Sequence, residues 1–459
     1  MPPVMREGGR LVVVGGVAAG MSAASRARRL RPDVEIVVFE SGSDVSYGAC
    51  LLPYFVSGLI KSRDSLVRVE ADSFRNERHI DVRLNTEVTA LDPFKRTVAF
   101  RGPDGGNGDL SFDALVLATG AAAVKPPLPG IDIPGVATLR TLADGESLRR
   151  RVESGGVSKA AVVGAGYIGI EMAEALASRG ITVTVIELLP AVLSTFDPDM
   201  SELVERELLA RGVIVRKDTG VEGFEPREGS HDLGYVIAGG QRLEADLALV
   251  SVGVRPSVGL ASAAGLELGR TGAIKVDARQ VTSVPSVLAA GDCAEAMHIV
   301  TRRPVWIPLG TTANKQGKLA GENAVGGSAR FGGVAGTNIS KVFGLEVAQT
   351  GLTERGAAEE GLDATSVRIR SLTKAHGYPG GGDIHVKLVF EPDGGRLLGG
   401  QIIGREGAGK RIDTIATALH ARMTVADLAE IDLSYAPPFS PVWEPVAMAA
   451  LQSVKKVRS

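Results

Sequence analysis

The sequence predicts an α/β protein that has two βαβ units and, after them, a smaller α+β domain. Two stretches of the same layout indicate the units, LVVVGGVAAGMSAAS from Leu11 and AAVVGAGYIGIEMAE from Ala160. In each, a β-branched apolar run meets a glycine-rich turn and then a helical pattern of small residues. The third observation is a change near residue 331 to alternating strands such as IHVKLVFE and LLGGQIIG, with a helical stretch, KRIDTIATALHARM, and a proline-rich tail after them.

Each unit also carries an acidic residue at a characteristic distance. About 20 residues after the last turn glycine, a second strand ends in Glu40 in the first unit and Glu187 in the second. This is the layout of a Rossmann-like dinucleotide-binding unit, in which turn amides approach a pyrophosphate at a helix N-terminus and the acid accepts hydrogen bonds from ribose hydroxyls. One such turn is weak evidence, but two complete copies in one chain predict two nucleotide sites.

The two turns differ in their middle position. The second is complete, with Gly164, Gly166 and Gly169. In the first, Val17 stands where the middle glycine belongs, and we expect Gly16 to supply the missing flexibility.

Three further runs read as buried strands that end in a glycine. They are FDALVLATG from Phe112, LEADLALVSVG from Leu243 and VPSVLAAGD from Val284. With the change near residue 331, they indicate further strands beyond the two βαβ units and a third domain that begins near residue 331. A homodimer interface is one reason for a chain to keep such a third domain.

The composition excludes several partners. Lys and Arg number 51 against 53 Asp and Glu, without long blocks of one sign, which argues against nucleic acid or an anionic membrane as the main partner. Two distant cysteines provide neither a disulfide framework nor metal-ligand spacing, so a reducing cytoplasm is expected and a metal is not. No apolar run approaches the ~20 residues of a membrane span. Arg6 and Arg10 before LVVVGGVAAG also resemble a secretory signal, but the strand, turn and helix of a nucleotide unit is the favoured interpretation.

Over nearly its whole length the sequence resembles the pyridine nucleotide–disulfide oxidoreductases, flavoproteins with two dinucleotide-binding domains. The segments SYGACLLPY, HGYPGG and DLSYAPPFSPVWEP are most similar to the branch of coenzyme A-disulfide reductases and NADH-dependent persulfide or polysulfide reductases. The resemblance implies an FAD-binding domain from 1–150 and 251–330, an NAD(H)-binding domain from 151–250 and a dimerisation domain from 331–459.

The resemblance also implies which residues bind the cofactors. The first turn and Glu40 would hold FAD, and the segment 118–120 would close over it. Asp292 would accept hydrogen bonds from the ribityl and pyrophosphate region of FAD without needing a counter-ion. The alternative for Asp292 is a helix N-cap. The full set is Gly15, Gly16, Val17, Ala18, Ala19, Gly20, Glu40, Ser41, Val88, Ala118, Thr119, Gly120, Asp292, Ala313, Gly164, Gly166, Tyr167, Ile168, Gly169, Glu187 and Gly253.

Two residues of the second unit have more specific expectations. Glu187 would repel a 2′-phosphate and is followed by Leu188 and Leu189 rather than an arginine, which predicts NADH, with NADPH as the less favoured coenzyme. Tyr167 is similar to the family tyrosine that lies over the flavin until nicotinamide displaces it; the alternative is a core aromatic.

Cys50 is the expected redox centre. The family usually has a Cys-x4-Cys pair here, but the fifth residue after Cys50 is Phe55, so the thiol has no neighbouring partner. Pro53 and Gly58 predict a short helix after the cysteine, and its N-terminus is expected to lower the pKa of the thiol. The alternative is a buried, inert cysteine.

A single thiolate beside a flavin can attack a disulfide or persulfide, or cycle through a sulfenic acid with peroxide or oxygen. Related NADH peroxidases and oxidases carry a histidine inside the first turn, where this chain has Ala18, so disulfide or sulfane-sulfur reduction is the leading prediction. An NADH oxidase or peroxidase is the alternative within enzymes, and a flavin-based redox sensor is the alternative outside them.

The remaining expectations concern substrate. By resemblance, Tyr435 and Tyr378 reach from the other subunit towards the cysteine as hydrogen-bond donors or acids; for each, interface packing is the alternative. Arg26 and Arg29, with Ser46, are expected on the substrate side, near the nucleotide of a coenzyme A derivative, although arginine-rich helix faces are commonly just solvated. Relatives often have Asn before the cysteine; Ala49 here leaves the choice of disulfide or persulfide open.

Overall fold

The chain is described from residue 5 to residue 458 in a computed structural model. Up to residue 153 it forms nine strands and four helices, with two 3-10 turns at Ala49–Leu51 and Arg63–Ser65. The elements are β1 Arg10–Val14, α1 Ala18–Leu30, β2 Glu35–Phe39, α2 Leu52–Val56, α3 Ala71–Asn76, β3 Asp81–Arg83, β4 Glu87–Asp92, β5 Thr97–Arg101, β6 Asn107–Ser111, β7 Ala114–Leu117, β8 Ala121–Ala123, β9 Val136–Ala137 and α4 Leu142–Glu153. The apolar segment after Arg10 is therefore β1 and the start of α1, as the favoured interpretation required.

The second unit repeats this arrangement. Its elements are β10 Lys159–Val163, α5 Tyr167–Ala177, β11 Thr182–Ile186, α6 Pro198–Ala210, β12 Ile214–Arg216, β13 Val221–Pro226, β14 Leu233–Ala238, β15 Gln241–Glu244, β16 Leu247–Val250 and β17 Val254–Pro256. The parallel sheet has the order β12-β11-β10-β16-β9. Strand β9 precedes residue 150 but pairs with β16 of this sheet, and α4 spans residue 150. The domain limits stay predictions.

The chain then returns to the first unit through α7 Gly259–Ala263, β18 Val287–Ala289, β19 Ala296–Met297, β20 Pro304–Val305 and α8 Gly310–Ala324. Strand β18 pairs with β7 and completes a parallel sheet of order β18-β7-β1-β2-β3. Helix α8 packs closely on α1, since a methyl group at Gly317 or Gly321 would lie 2.2 or 2.1 Å from a carbonyl oxygen of α1. Two distant parts of the chain thus build one nucleotide-binding unit.

The C-terminal part is an antiparallel sheet with helices. Its elements are β21 Asn338–Val342, β22 Leu345–Gly351, α9 Glu354–Glu359, β23 Thr365–Leu372, β24 Asp383–Phe390, β25 Leu397–Gly404, α10 Ala408–Ala421, α11 Val425–Ala429 and α12 Pro445–Val454. The order is β21-β22-β25-β24-β23. The expected strands and helix are present, but β25 is buried along its whole length rather than alternating, because α10 covers one face and α6 of the second unit contacts the other. Between residues 5 and 458, no helix is both long enough and apolar enough to cross a bilayer.

Candidate active site

The outer glycines of both turns are required by the backbone. Gly15 has φ +106° and Gly164 has φ +98°, in the region that side chains disfavour. A methyl group at Gly20 would lie 1.8 Å from the carbonyl oxygen of Gly15, and one at Gly169 would lie 2.0 Å from that of Gly164. The third glycine therefore lets each helix pack against its own strand, as the fingerprint predicts.

The middle positions of the turns have different surroundings. A methyl group at Gly16 would lie 2.6 Å from Val45 and 3.0 Å from Glu40, so a side chain does not fit there; that Gly16 supplies the missing flexibility stays a prediction. Nothing lies within 4 Å of the corresponding position at Gly166. The second turn therefore leaves open space for close approach of a ligand, where Val17 presents a side chain in the first.

The two acids are held in the same way. Glu40 accepts a hydrogen bond from the amide of Gly16 (2.7 Å) and one from the amide of Gly42 (2.7 Å). Glu187 accepts one from the amide of Ala165 (2.6 Å) and one from the amide of Leu189 (2.9 Å). Each carboxylate is thereby fixed beside its turn, with lone pairs left for ribose hydroxyls.

Both helix N-termini fit a pyrophosphate. Neither α1 nor α5 has a side-chain cap, and neither has an acidic residue in its first turn. The first amides of a helix lack intrahelical partners, and here no side chain replaces them. The amides together with the helix dipole suit a bound anion, so the residues present fit two dinucleotides.

Residues that are far apart in the sequence meet around the first turn. A methyl group at Gly291, directly before Asp292, would lie 2.8 Å from the Ala19 side chain and 3.4 Å from that of Ala313. Three segments expected to bind FAD therefore converge at the start of α1.

The segment 118–120 lies against the same turn. A methyl group at Gly15 would lie 2.2 Å from the carbonyl oxygen of Ala118. The Thr119 hydroxyl donates to the carbonyl oxygen of Ser257 (2.6 Å), and Gly120 has φ +70°. The segment is thus held tightly beside the first turn, and its closure over a ligand stays a prediction.

Four other residues predicted for the site make contacts within the chain that can be stated briefly. The Ser46 amide donates to the carbonyl oxygen of Gly16 (2.9 Å), and the Ser41 hydroxyl lies 3.5 Å from the carboxylate of the preceding glutamate. Val88 packs against the core cluster that contains the end of β2. Gly253, with φ +114°, lies in the turn after β16. Their contacts with a cofactor stay predictions.

Asp292 does have a counter-ion, which corrects the expectation. Its Oδ2 lies 2.8 Å from Nη2 of Arg140, whose Nε donates to the carbonyl oxygen of Ala121 (2.9 Å). No helix begins at Asp292, so it is not an N-cap. Arg140 was missed because it belongs to no motif and lies 152 residues from its partner in the chain.

Cys50 lies where it was expected, but its acidity was wrongly anticipated. It lies in the 3-10 turn directly before α2, with Pro53 in the first turn of that helix, and the residue is exposed although the surrounding protein partly shields its thiol. The pKa of the thiol is raised, first by this desolvation and then by the charges of Glu171 and Asp292. These outweigh the charge of Arg140 and a backbone hydrogen bond, which lower the pKa.

The charges that act on Cys50 come from both nucleotide units. Asp292 follows β18 of the first, and Glu171 lies on α5 of the second, where burial raises its pKa and the Ser340 hydroxyl donates to it (2.8 Å). The thiol therefore lies within electrostatic reach of both expected cofactor sites. Glu171 was not singled out from the sequence, although its place one turn after Tyr167 is a usable signal.

The two tyrosines expected from a partner subunit lie on adjoining loops. The Ala375 amide donates to the carbonyl oxygen of Pro437 (3.0 Å), which joins the segments of Tyr378 and Tyr435. Both tyrosines are exposed, as are three apolar side chains of the same tail, of which Trp443 is 61% exposed. Within residues 5–458 no hydrogen bond joins either tyrosine to Cys50, so their role stays a prediction that needs a second chain.

The arginines of α1 have unlike surroundings. Arg26 forms a two-pronged ion pair with Glu322 of α8, with Nε and Nη2 2.9 and 2.5 Å from one carboxylate oxygen. Arg29 is exposed. Arg26 thus already joins two helices, and substrate contact by either arginine stays a prediction.

Two nucleotide-binding turns with a lone thiol between them define a redox enzyme that uses two nucleotide cofactors. The chain belongs to the pyridine nucleotide-disulphide oxidoreductase family: residues 9–317 match that family, and residues 338–447 match its dimerisation domain. The family uses FAD and NAD(P)H.

Relatives of full length carry related names. An NADH oxidase of Methanocaldococcus jannaschii is 37% identical, with 98% of this chain and 99% of that protein aligned. An NAD(P)H sulfur oxidoreductase (CoA-dependent) of Pyrococcus furiosus is 40% identical over 96% and 98%. The solved structure of an NAD-dependent persulfide reductase from A. fulgidus is 41% identical, covers 97% of this chain and 83% of that one, and superimposes with a TM-score of 0.94. The resemblance stated from the sequence is confirmed.

Proposed function

We propose that the protein is an FAD-dependent NADH:disulfide oxidoreductase that reduces coenzyme A disulfide, a persulfide or polysulfide through Cys50. The observation that carries the proposal is the position of this thiol, within reach of the charges of Asp292 in the first nucleotide unit and of Glu171 in the second. The other cysteine, Cys293, is far from it in the sequence and is fully buried.

The chemistry balances with one thiol. FAD, when bound, supplies the two-electron relay between NADH and sulfur. The Cys50 thiolate attacks one sulfur of the substrate, the substrate S–S bond breaks, and the first thiol or sulfide leaves. Two electrons then reduce the mixed disulfide, which restores the thiolate and releases the second thiol. In sum, NADH, one proton and one disulfide yield NAD⁺ and two thiols.

The raised pKa of Cys50 gives Arg140 a defined role. A thiolate is the reactive form, and two nearby carboxylates oppose it. Arg140, held by Asp292 and a backbone carbonyl, supplies the compensating positive charge. We assign it to stabilising the thiolate.

The protons for the leaving thiolates would come from a second chain. We assign this role to Tyr435 of the partner subunit, with the partner's Tyr378 beside it as a donor or as packing. The exposed aromatic tail and the match to the dimerisation domain support a homodimer. Arg26, Arg29 and Ser46 remain on the substrate side of this proposal, and the two free cysteines suit a reducing cytoplasm.

We assign the second unit to NADH. The fixed carboxylate of Glu187 would repel a 2′-phosphate, and the exposed Leu188 and Leu189 offer no cation. Tyr167, at the start of α5, is the aromatic ring we assign to covering the nicotinamide side of the flavin until NADH binds.

The test separates flavin reduction from sulfur chemistry. The holoenzyme is reduced anaerobically with NADH and then mixed with coenzyme A disulfide, coenzyme A persulfide, polysulfide, peroxide or oxygen. Cys50→Ser should lose every sulfur acceptor while NADH still bleaches the flavin. Cys293→Ala, which removes the buried thiol, is the matched control and should turn over normally.

The same experiment decides between the alternatives. Retained disulfide turnover in Cys50→Ser would refute the mechanism. Peroxide turnover with dimedone trapping at Cys50 would instead support an oxidase or peroxidase that cycles through a sulfenic acid. Slow NADH consumption with every acceptor would support a redox sensor.

A further inference from the structure

One strand of the C-terminal domain follows one face of α5. Strand β21 is an edge strand, and its residues contact helix positions 167, 171 and 174, whose spacing of four and three places them on the same side of the helix. The bonds run from Tyr167 to Asn338, from Ser340 to Glu171 (2.8 Å) and from the Phe343 amide to Glu174 (2.6 Å). Helix α5, which begins at the second glycine-rich turn, is thus hydrogen-bonded to the C-terminal domain, which has no glycine-rich nucleotide-binding turn of its own.

The bond between Tyr167 and Asn338 has a defined direction. Nδ2 of Asn338 donates to the carbonyl oxygen of Gly336 (3.0 Å), which leaves Oδ1 to face the phenol. This amide orientation follows from the hydrogen-bond network. Burial raises the pKa of Tyr167, so the phenol keeps its proton and donates it to Asn338, with the Thr195 hydroxyl as a second polar neighbour.

The Tyr167 ring also contacts a second segment that the C-terminal domain holds. Its centroid lies 6.3 Å from that of Phe196 at 61°, an edge-on arrangement. The next residue, Asp197, is buried and forms two hydrogen bonds with the Gln401 side chain of β25, through its amide (2.9 Å) and its carboxylate (2.6 Å). The Glu354 amide donates to the same carboxylate (3.1 Å). Both neighbours of the ring are therefore fixed by one domain.

We propose that Asn338 is a positioning residue for the NADH step: it holds Tyr167 in the covering position, so that nicotinamide must break this hydrogen bond to bind. The proposal rests on the proposed function of Tyr167. Asn338 touches neither substrate nor reacting atoms and acts only through the tyrosine. In this way the C-terminal domain sets part of the affinity of the second unit for its coenzyme.

The expected effect is tighter binding when the bond is removed. A single hydrogen bond of this kind corresponds to about a two- to tenfold change in an equilibrium constant. In the FAD-loaded protein, Asn338→Ala and Tyr167→Phe should each lower the Kd for 1,4,5,6-tetrahydro-NAD, a non-reducing analogue, by about that factor, measured by calorimetry. Asn338→Ala removes only this bond, whereas Tyr167→Phe removes it together with the contact to Thr195, so the double variant should bind no more tightly than Tyr167→Phe alone.

Lys341→Gln is the control, since it removes another contact between β21 and α5, with Glu174, and leaves Tyr167 alone. Its Kd should equal that of the wild type. Tyr167→Phe keeps the ring and tests the loss of the phenol's hydrogen bonds if Asn338→Ala loses FAD. Unchanged or weaker binding in Tyr167→Phe and Asn338→Ala, or effects that add in the double variant, would overturn the inference. A wild-type protein whose flavin NADH fails to reduce would instead refute the proposed function.

Discussion

Replacing Glu187 by glutamine should weaken the preference for NADH over NADPH. The carboxylate is fixed by two amides at 2.6 and 2.9 Å and cannot turn away from a phosphate on the neighbouring ribose hydroxyl. Two unit charges ~4 Å apart interact by about 1 kcal/mol in water and about 4 kcal/mol near a protein surface. Glu187 is only half-buried, so we take about 1–2 kcal/mol, which is about a five- to thirtyfold fall in the NADH to NADPH ratio of kcat/KM.

The assay is anaerobic stopped-flow reduction of the flavin with each coenzyme. Glutamine keeps the shape and one oxygen that can accept from Ala165, but its NH2 group cannot accept from the Leu189 amide, so the test is the ratio of the two coenzymes rather than the rate with NADH alone. The first unit offers a matched control: Glu40 is fixed by the same two amide positions, and Glu40→Gln should weaken FAD retention without changing the coenzyme ratio. A Glu187→Gln enzyme with the wild-type ratio would show that the carboxylate does not select the coenzyme.

For three other substitutions, the structure fixes the direction of the expected change in a pKa or in stability. Glu171→Gln removes a negative charge near Cys50, so the pKa of the thiol should fall and the inflection of its alkylation rate should move to lower pH. Arg140→Gln should move the inflection of the alkylation rate to higher pH, whereas Arg140→Lys should not move it. If Glu171→Gln and Arg140→Gln moved the inflection in the same direction, the electrostatic account would be contradicted. Lys387→Met leaves three carboxylates around a buried site without their cation and should cost about 3–5 kcal/mol in urea unfolding of the holoenzyme. Adding Asp197→Asn should restore part of the lost stability. If Lys387→Met lost no stability, the buried ion pair between Lys387 and Asp197 would not be formed.

Local patterns predicted the parts of the site that local geometry determines. The turn glycines, Glu40 and Glu187 could be predicted because each unit of strand, turn, helix and strand completes its contacts within about 30 residues. Cys50 could be placed before a helix because Pro53 is close to it. The resemblance to a family supplied Asp292 and the tyrosines, which no spacing connects to the thiol.

Contacts between distant segments could not be predicted in this way. Arg140 reaches Asp292 across 152 residues, and Tyr167 reaches Asn338 across 171. Neither arginine nor asparagine carries a signal in its own segment. The burial of β25 was missed for the same reason, since its second covering layer is α6 of another domain.

The raised pKa of Cys50 affects which of the two sulfurs leaves when the mixed disulfide between Cys50 and the substrate is reduced. In thiol–disulfide exchange the sulfur with the lower pKa leaves faster, and a thiolate of higher pKa is the stronger nucleophile once formed. Desolvation and the charges of Glu171 and Asp292 raise the pKa of this thiol, so in a mixed disulfide with an ordinary thiol the substrate sulfur is the better leaving group. Reduction should therefore proceed by attack on the Cys50 sulfur with release of the substrate.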